Sequence, residues 1–181
     1  RLSLARGDRV EEELAEVFSA LKFAPLPSME KNRVWRWQQT EKSTLVEFLT
    51  PSFEEGEPLR DLPALGVSAQ SLHHLNYLIA EPIQVPLLYR SGALVQIPRP
   101  ERFAIHKLII ADRRSADPDQ LKARKDRAQA EFLIEVLSEE RPEDLAEAYE
   151  DAMEKGPQWR ARLEASLSRM SETRARLDAL R

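Results

Sequence analysis

Apolar residues recur three and four apart across residues 8–21, at Val10, Leu14, Val17, Phe18 and Leu21, with glutamates between them. That spacing predicts an amphipathic helix with Asp8 as its N-cap. Residues 25–31, which include two prolines, read as a loop. The pattern then changes period. "RVWRWQQ" (33–39) and "STLVEFLTP" (43–51) read as two strands joined by a turn at "TEK". On the first, Val34 and Arg36 share one face and Trp35 and Trp37 the other. On the second, Leu45, Glu47 and Leu49 lie opposite Thr44, Val46 and Phe48. Residues 52–68 are polar, contain Gly and Pro, and read as a surface loop. "SLHHLNYLIAEPIQVPLLY" mixes a short helical or extended piece with a strand. "IQVPLLY-RSG-ALVQIP" predicts a hairpin turning near Gly92, with Pro86 demanding an edge position.

From Pro100 onward the helical period takes over. One helix is expected over 101–114. "DPDQ" opens the next, with Asp117 as N-cap, Pro118 in the first turn and Gln120 completing a capping box, and it runs to about Leu137. Pro142 opens another, which Gly156 closes. Pro157 opens the last, with Trp159, Leu163, Leu167, Met170 and Leu177 along one side. A β-rich part followed by a helical part indicates an α+β fold. The expected division is an α/β core over 1–98 and a helical region over 99–181.

Composition narrows the chemistry. The chain has no cysteine, which excludes disulfides and thiolate metal sites. It shows no apolar run of membrane-spanning length and no secretory leader pattern, so a cytoplasmic protein without membrane contact is expected. The net charge of -4 hides an asymmetry. Residues 99–127 hold nine Lys/Arg against five Asp/Glu, and residues 131–158 hold ten acids against two bases. The basic block suits phosphates or nucleic acid. The acidic block reads most simply as a solvated helical surface.

Three places carry candidate chemistry. Glu47 shares its strand face with two leucines, where a carboxylate is unexpected. It reads as a metal-binding carboxylate at a cleft, or as an edge residue facing water or paired with Arg36. Lys107 lies at the border of an apolar helix, on the face of Phe103, Ile110 and Arg114. Two cations on one face suit a polyphosphate, and a snorkelling lysine is the plainer reading. Lys125 falls on the stripe Leu121, Lys125, Ala128 and Phe132, taken as core-facing, which implies a site or an ion pair. Asp126 is placed to pair with Arg114, Lys107 or another nearby base. His73 and His74 are adjacent and do not converge on one metal, and no Walker loop or dinucleotide fingerprint occurs.

"LVEFLTP", "GALVQIPRPERFAIHKLIIADRR" and "KARKDRAQAEFLI" together resemble a bacterial family of nucleotidyltransferase-fold proteins. The resemblance is to the polymerase-β-like superfamily in its minimal form, akin to the nucleotidyltransferases of abortive-infection systems. It spans about residues 33–137. It implies two carboxylates on one strand in a G-S…D-x-D arrangement and a third on a neighbouring strand, together holding two Mg²⁺ ions. Glu47 matches the third carboxylate, and so stands as both catalytic and metal-binding. Lys107, Arg114, Lys125 and Asp126 match the helical segments beside the nucleoside triphosphate. No G-S…D-x-D occurs in the chain, and the resemblance places it upstream of Arg1.

Three functions follow as expectations. The first is an Mg²⁺-dependent transfer of a nucleoside monophosphate from an NTP to a hydroxyl of RNA, protein or a small molecule. The second is an inactive relative that binds nucleotide or nucleic acid through the basic block, with salt-sensitive affinity. The third is an interaction protein whose acidic helices dock a partner or a second copy as a homodimer.

Overall fold

A computed structural model describes residues 14–30, 32–52, 59–88, 91–116 and 120–180. The fold is α+β, as the change of period predicts. The chain divides into two compact units, Arg1–Asn76 and Tyr77–Arg181. The division therefore falls before the hairpin over 83–97, which groups with the helices rather than with the first core.

In the first unit, α1 (Leu14–Ala20) is followed by β1 (Phe23–Pro25), β2 (Arg36–Gln39) and β3 (Leu45–Glu47), which form an antiparallel sheet in the order β1-β2-β3. Asp8 and the first turns of the expected helix lie outside the described residues. The ring of Phe18 on α1 stands 5.4 Å from Phe23, 5.0 Å from Trp37 and 6.0 Å from Phe48. This small aromatic core is what α1 and the sheet bury against each other.

The single strand expected over 43–51 breaks at Phe48. Its N–H donates to the Trp35 carbonyl at 2.8 Å, while its own carbonyl accepts from the Gln70 N–H at 2.8 Å. The chain thus changes partners within one residue. β4 (Leu49–Pro51) leaves β2 and pairs in parallel with β6 (Val67–Leu72). β6 also pairs antiparallel with β5 (Leu59–Leu62), through a turn that Gly66 makes at φ +63°. The expected surface loop over 52–68 is therefore largely a hairpin, apart from residues 53–58, which lie outside the described residues. Its polar alternation conceals a buried strand, because Ser68 and Ser71 are buried beside Val67 and Ala69.

In the second unit, α2 (Leu75–Ile79) leads into the hairpin of β7 (Ile83–Leu87) and β8 (Ala93–Ile97), with Gly92 at φ +84° in the turn as expected. Five helices follow: α3 (Pro100–Arg113), α4 (Gln120–Glu140), α5 (Pro142–Glu154), α6 (Pro157–Leu167) and α7 (Ser171–Asp178). The expected capping box at 117–119 lies outside the described residues. The last predicted helix is two. The chain leaves helical geometry at Met170 (φ -141°, ψ 68°), yet Leu163, Leu167, Met170 and Leu177 are all buried, as their spacing predicts.

The core is built round α3, which packs on α4, α5 and α6. Ala104, Ile105, Leu108, Ile109 and Ala111 are wholly buried, meeting Ile134, Leu145, Leu163 and Leu167. Two side-chain bonds pin this core. The Ser166 hydroxyl donates to the Leu108 carbonyl at 2.5 Å, and the Tyr77 hydroxyl donates to the Ala148 carbonyl at 2.7 Å. Burial pushes the Tyr77 phenol far above its ordinary pKa, so it remains a donor. Among the described residues, no helix is long and apolar enough to cross a membrane.

Tyr77→Phe removes one buried bond and leaves the Ala148 carbonyl without that donor. It is expected to lower stability by about 1–2 kcal/mol, read by urea denaturation. An unchanged midpoint would contradict this pin.

Candidate functional site

A helix buried on three sides cannot keep its inward charges in water, so α3 meets Glu101, Arg102, Lys107 and Asp112 with partners from neighbouring segments. Glu101 is wholly buried. Its carboxylate lies 3.2 Å from the guanidinium of Arg141 and 3.6 Å from that of Arg99, and its second oxygen accepts no hydrogen bond. Arg102 donates to Asp151 at 2.5 Å and to Glu81 at 3.2 Å, with its guanidinium 4.9 Å from the Tyr77 ring centroid. Asp112 accepts from Arg162 at 3.2 Å.

Lys107 follows the same rule. Its ammonium donates to Asp126 of α4 at 2.7 Å and lies 5.1 Å from the Phe103 ring centroid. Arg114 reaches the other oxygen of the same carboxylate at 2.5 Å. Asp126 is buried, so the two cations share one desolvated anion and the group keeps one net positive charge. Both of the partners named for Asp126 from the sequence, Arg114 and Lys107, reach it at once.

Lys125 does not join them. The stripe taken as core-facing points to solvent instead: Leu121 and Phe132 are exposed, and so are Lys125 and Ala128. The inward positions of α4 are Ala123, Asp126, Ala130, Ile134 and Leu137. One residue of helical rotation separates Lys125 from Asp126 and reverses the assignment.

Arg113 escaped the sequence reading. It ends α3 beside Arg114 and Arg162, and burial together with those two positive charges lowers its guanidinium from the ordinary value. The pairs above satisfy Arg99 and Arg102, and Lys107 and Arg114 share the single Asp126 carboxylate. The α3 part of the basic block is therefore weaker as an electrostatic surface than its composition implies. At the end of α3, the Arg113–Arg114 corner keeps uncompensated positive charge. Its signal in the chain is the arginine doublet of "IIADRR".

Glu47 lies in the first unit, on edge strand β3. It stands directly across from Arg36 in register and is exposed, as are Leu45 and Leu49 on the same face. The face that makes a carboxylate look out of place is thus the open face of the sheet. α1 covers the other face, that of Trp37 and Val46. Arg36 does not pair with Glu47; its guanidinium sits 4.5 Å from the Trp35 ring centroid. A hard oxygen donor on an open face suits Mg²⁺. Among the described residues, however, no group of three or more His, Asp or Glu side chains forms a metal site. Glu47 alone does not make a two-metal centre.

The same unit contains a cleft of about 540 Å³ on the side of Ala15 and Trp37, lined also by Asn32, Arg33, Asp61 and Ser68. The Ser68 hydroxyl and the Arg33 guanidinium, at 2.9 and 3.1 Å, outweigh burial and hold the Asp61 carboxyl below its ordinary range. Arg33 is also held by Glu30 at 2.7 Å and by the Leu59 carbonyl at 3.0 Å. These charges brace the corner between the two sheets, and Glu47 projects from the face opposite Trp37.

A family model described as "Nucleotidyltransferase" matches residues 1–154, and the chain belongs to that family. The match takes in Glu47, α3 and α4, so nucleotidyl transfer is the chemistry of the family to which this α+β chain belongs. No curated protein and no solved structure matches the chain.

Asp126→Ala strands the largely buried Lys107 and removes the anion that the more exposed Arg114 reaches. Loss of about 3 kcal/mol is expected in chemical denaturation, since removing one member of a buried pair costs far more than a surface pair contributes. A loss under about 0.5 kcal/mol, the size of a surface substitution, would refute the triad. A second expectation concerns pH. Burial raises the Asp151 carboxyl, but its bonds to Lys155 and Arg102 outweigh that and leave it below the ordinary value. A depressed native pKa means the stabilisation is complete above about pH 4 and disappears as pH falls through the native value. The stability gap between the parent and Asp151→Asn should therefore be open at neutral pH and narrow as the pH falls below about 4. A gap that does not change with pH over that acid range would contradict this.

Proposed function

We propose that the chain is an Mg²⁺-dependent nucleotidyltransferase that moves a nucleoside monophosphate from an NTP to an acceptor hydroxyl. The observation that carries this reading is the family match over residues 1–154. The open sheet face supports it, because it leaves the Glu47 carboxylate accessible where metal-bound phosphates would need it. Bound Mg²⁺ would neutralise phosphate charge and polarise the reacting oxygens. Glu47 contributes one oxygen ligand in this reading, and the paired carboxylates come from outside the described residues.

Taken by itself, the second unit offers a phosphate contact of its own at the positive end of α3. Arg113 and Arg114 present guanidinium donors, and planar forks of this kind match phosphate oxygens in pairs. Lys107 and Asp126 act through Arg114. They hold the guanidinium through one nitrogen, on a side chain that is 41% exposed. NTPs are an intracellular pool, and the reading places the reaction in the cytoplasm.

Glu47→Gln keeps size and exposure and removes one charge. It is expected to abolish Mg²⁺-dependent label transfer from an α-labelled NTP while leaving the circular dichroism spectrum unchanged. Full turnover in that variant would end the metal role. Arg113→Ala should raise the dissociation constant of a non-hydrolysable NTP about tenfold, the scale of one charge-assisted hydrogen bond. An unaltered constant would remove the phosphate contact.

A further inference from the structure

The outward side of α4 is charged, but it carries a line of exposed apolar residues interrupted by Lys125. Leu121 is 75% exposed, Phe132 64% and Val136 41%. Ala128 lies exposed between them on the same stripe. Single exposed apolar residues are ordinary, but a row of them along one helix makes a seam.

The charges beside this seam are segregated. Lys122, Arg124, Lys125 and Arg127 occupy the first half of α4, and Glu131, Glu135, Glu139 and Glu140 the second. That order opposes the helix dipole, which favours acids at the start and bases at the end. The arrangement is thus locally unfavourable with respect to the helix dipole. Arg176 reaches Glu135 at 3.1 Å and Glu139 at 4.0 Å. Arg124, Lys125 and Arg127 form no ion pair among the described residues.

We propose that α4 is the contact helix of a homodimer, packed antiparallel on the same helix of a second copy about a twofold axis near Ala130. Antiparallel pairing is the one arrangement of two such helices that sets each basic half against an acidic half. About that axis Lys125 faces Glu135 of the partner subunit, and Ala128 faces the partner subunit's Phe132, so each aromatic ring packs over a small residue. A parallel pair would instead stack like charges along the whole length. The 21 residues of α4 span about 31 Å. Two helices of that length meet at the lower end of the range for specific interfaces, so the dimer is reversible and concentration-dependent.

Sedimentation equilibrium of the full chain tests this. The mass is expected to rise from one chain toward two through the micromolar range. Phe132→Asp, at an exposed position, is expected to keep the fold and remain monomeric. Salt near 1 M, where the screening length is about 3 Å, is expected to weaken association. The chain has no cysteine, so single cysteines report the register. Along the axis, two copies of position 128 lie about 6 Å apart and two copies of position 121 about 27 Å apart. A short bis-maleimide should link Ala128→Cys across the dimer and fail to link Leu121→Cys. Linking at both positions, a single-chain mass at every concentration, or a dimer indifferent to Phe132→Asp would each overturn the proposal.

Discussion

The burial of α3 is the constraint on which the second unit depends. A helix that meets α4, α5 and α6 gains stability from Ala104, Ile105, Leu108 and Ile109, and it removes from water every charge it carries on those sides. Glu101, Arg102, Lys107 and Asp112 each answer with a counter-charge from another segment. The positions of Arg141, Asp151, Asp126 and Arg162 on the surrounding helices are thus set by α3. An ordinary apolar core tolerates rotation and slip of its helices. A core with charge matches in four directions has one register, because a slipped helix would leave a desolvated ion without its partner.

The same constraint decides where α3 keeps positive charge. Pairing offsets Arg99, Arg102 and one of the two cations that share Asp126. What remains on this helix collects at its end, where Arg113 has neighbours of its own sign and Arg114 shares Asp126 with Lys107. A lysine at the core border is therefore an anchor for the arginine beyond it. In the first unit the division of labour is simpler. One face of the β1-β2-β3 sheet takes the aromatic core under α1, and the other carries Glu47 in the open.

Much of this was legible in the chain. Period-two alternation located β2 and β3, Gly92 located the β7–β8 turn, and proline and glycine positions located the ends of α3, α5 and α6. Helical spacing put Lys107 and Arg114 on one face and left Asp126 a choice of partners; the structure gives that one carboxylate both. Other features depended on contacts that no local pattern records. The strand break at Phe48 exists because β6 competes with β2 for the same backbone groups. β6 itself alternates weakly, since Ser68 and Ser71 are buried on hydrogen-bonding grounds rather than apolar ones. The outward turn of Lys125 and Phe132 hinged on about 100° of helical rotation, less than periodicity fixes when both faces carry apolar residues. Glu101 reads as an ordinary first-turn acid, and only the arrival of Arg99 and Arg141 makes its burial tolerable.

The measurement that bears most directly on this account is a double-mutant cycle on Lys107 and Asp126, using Lys107→Met, Asp126→Asn and the pair, with stability read by urea denaturation. If the ammonium is buried for the sake of that carboxylate, the double variant loses less than the sum of the single losses, by about 1–3 kcal/mol. Losses that add to within about 0.5 kcal/mol would mean that Lys107 and Asp126 are independent, and the charge-matched core would have to be abandoned.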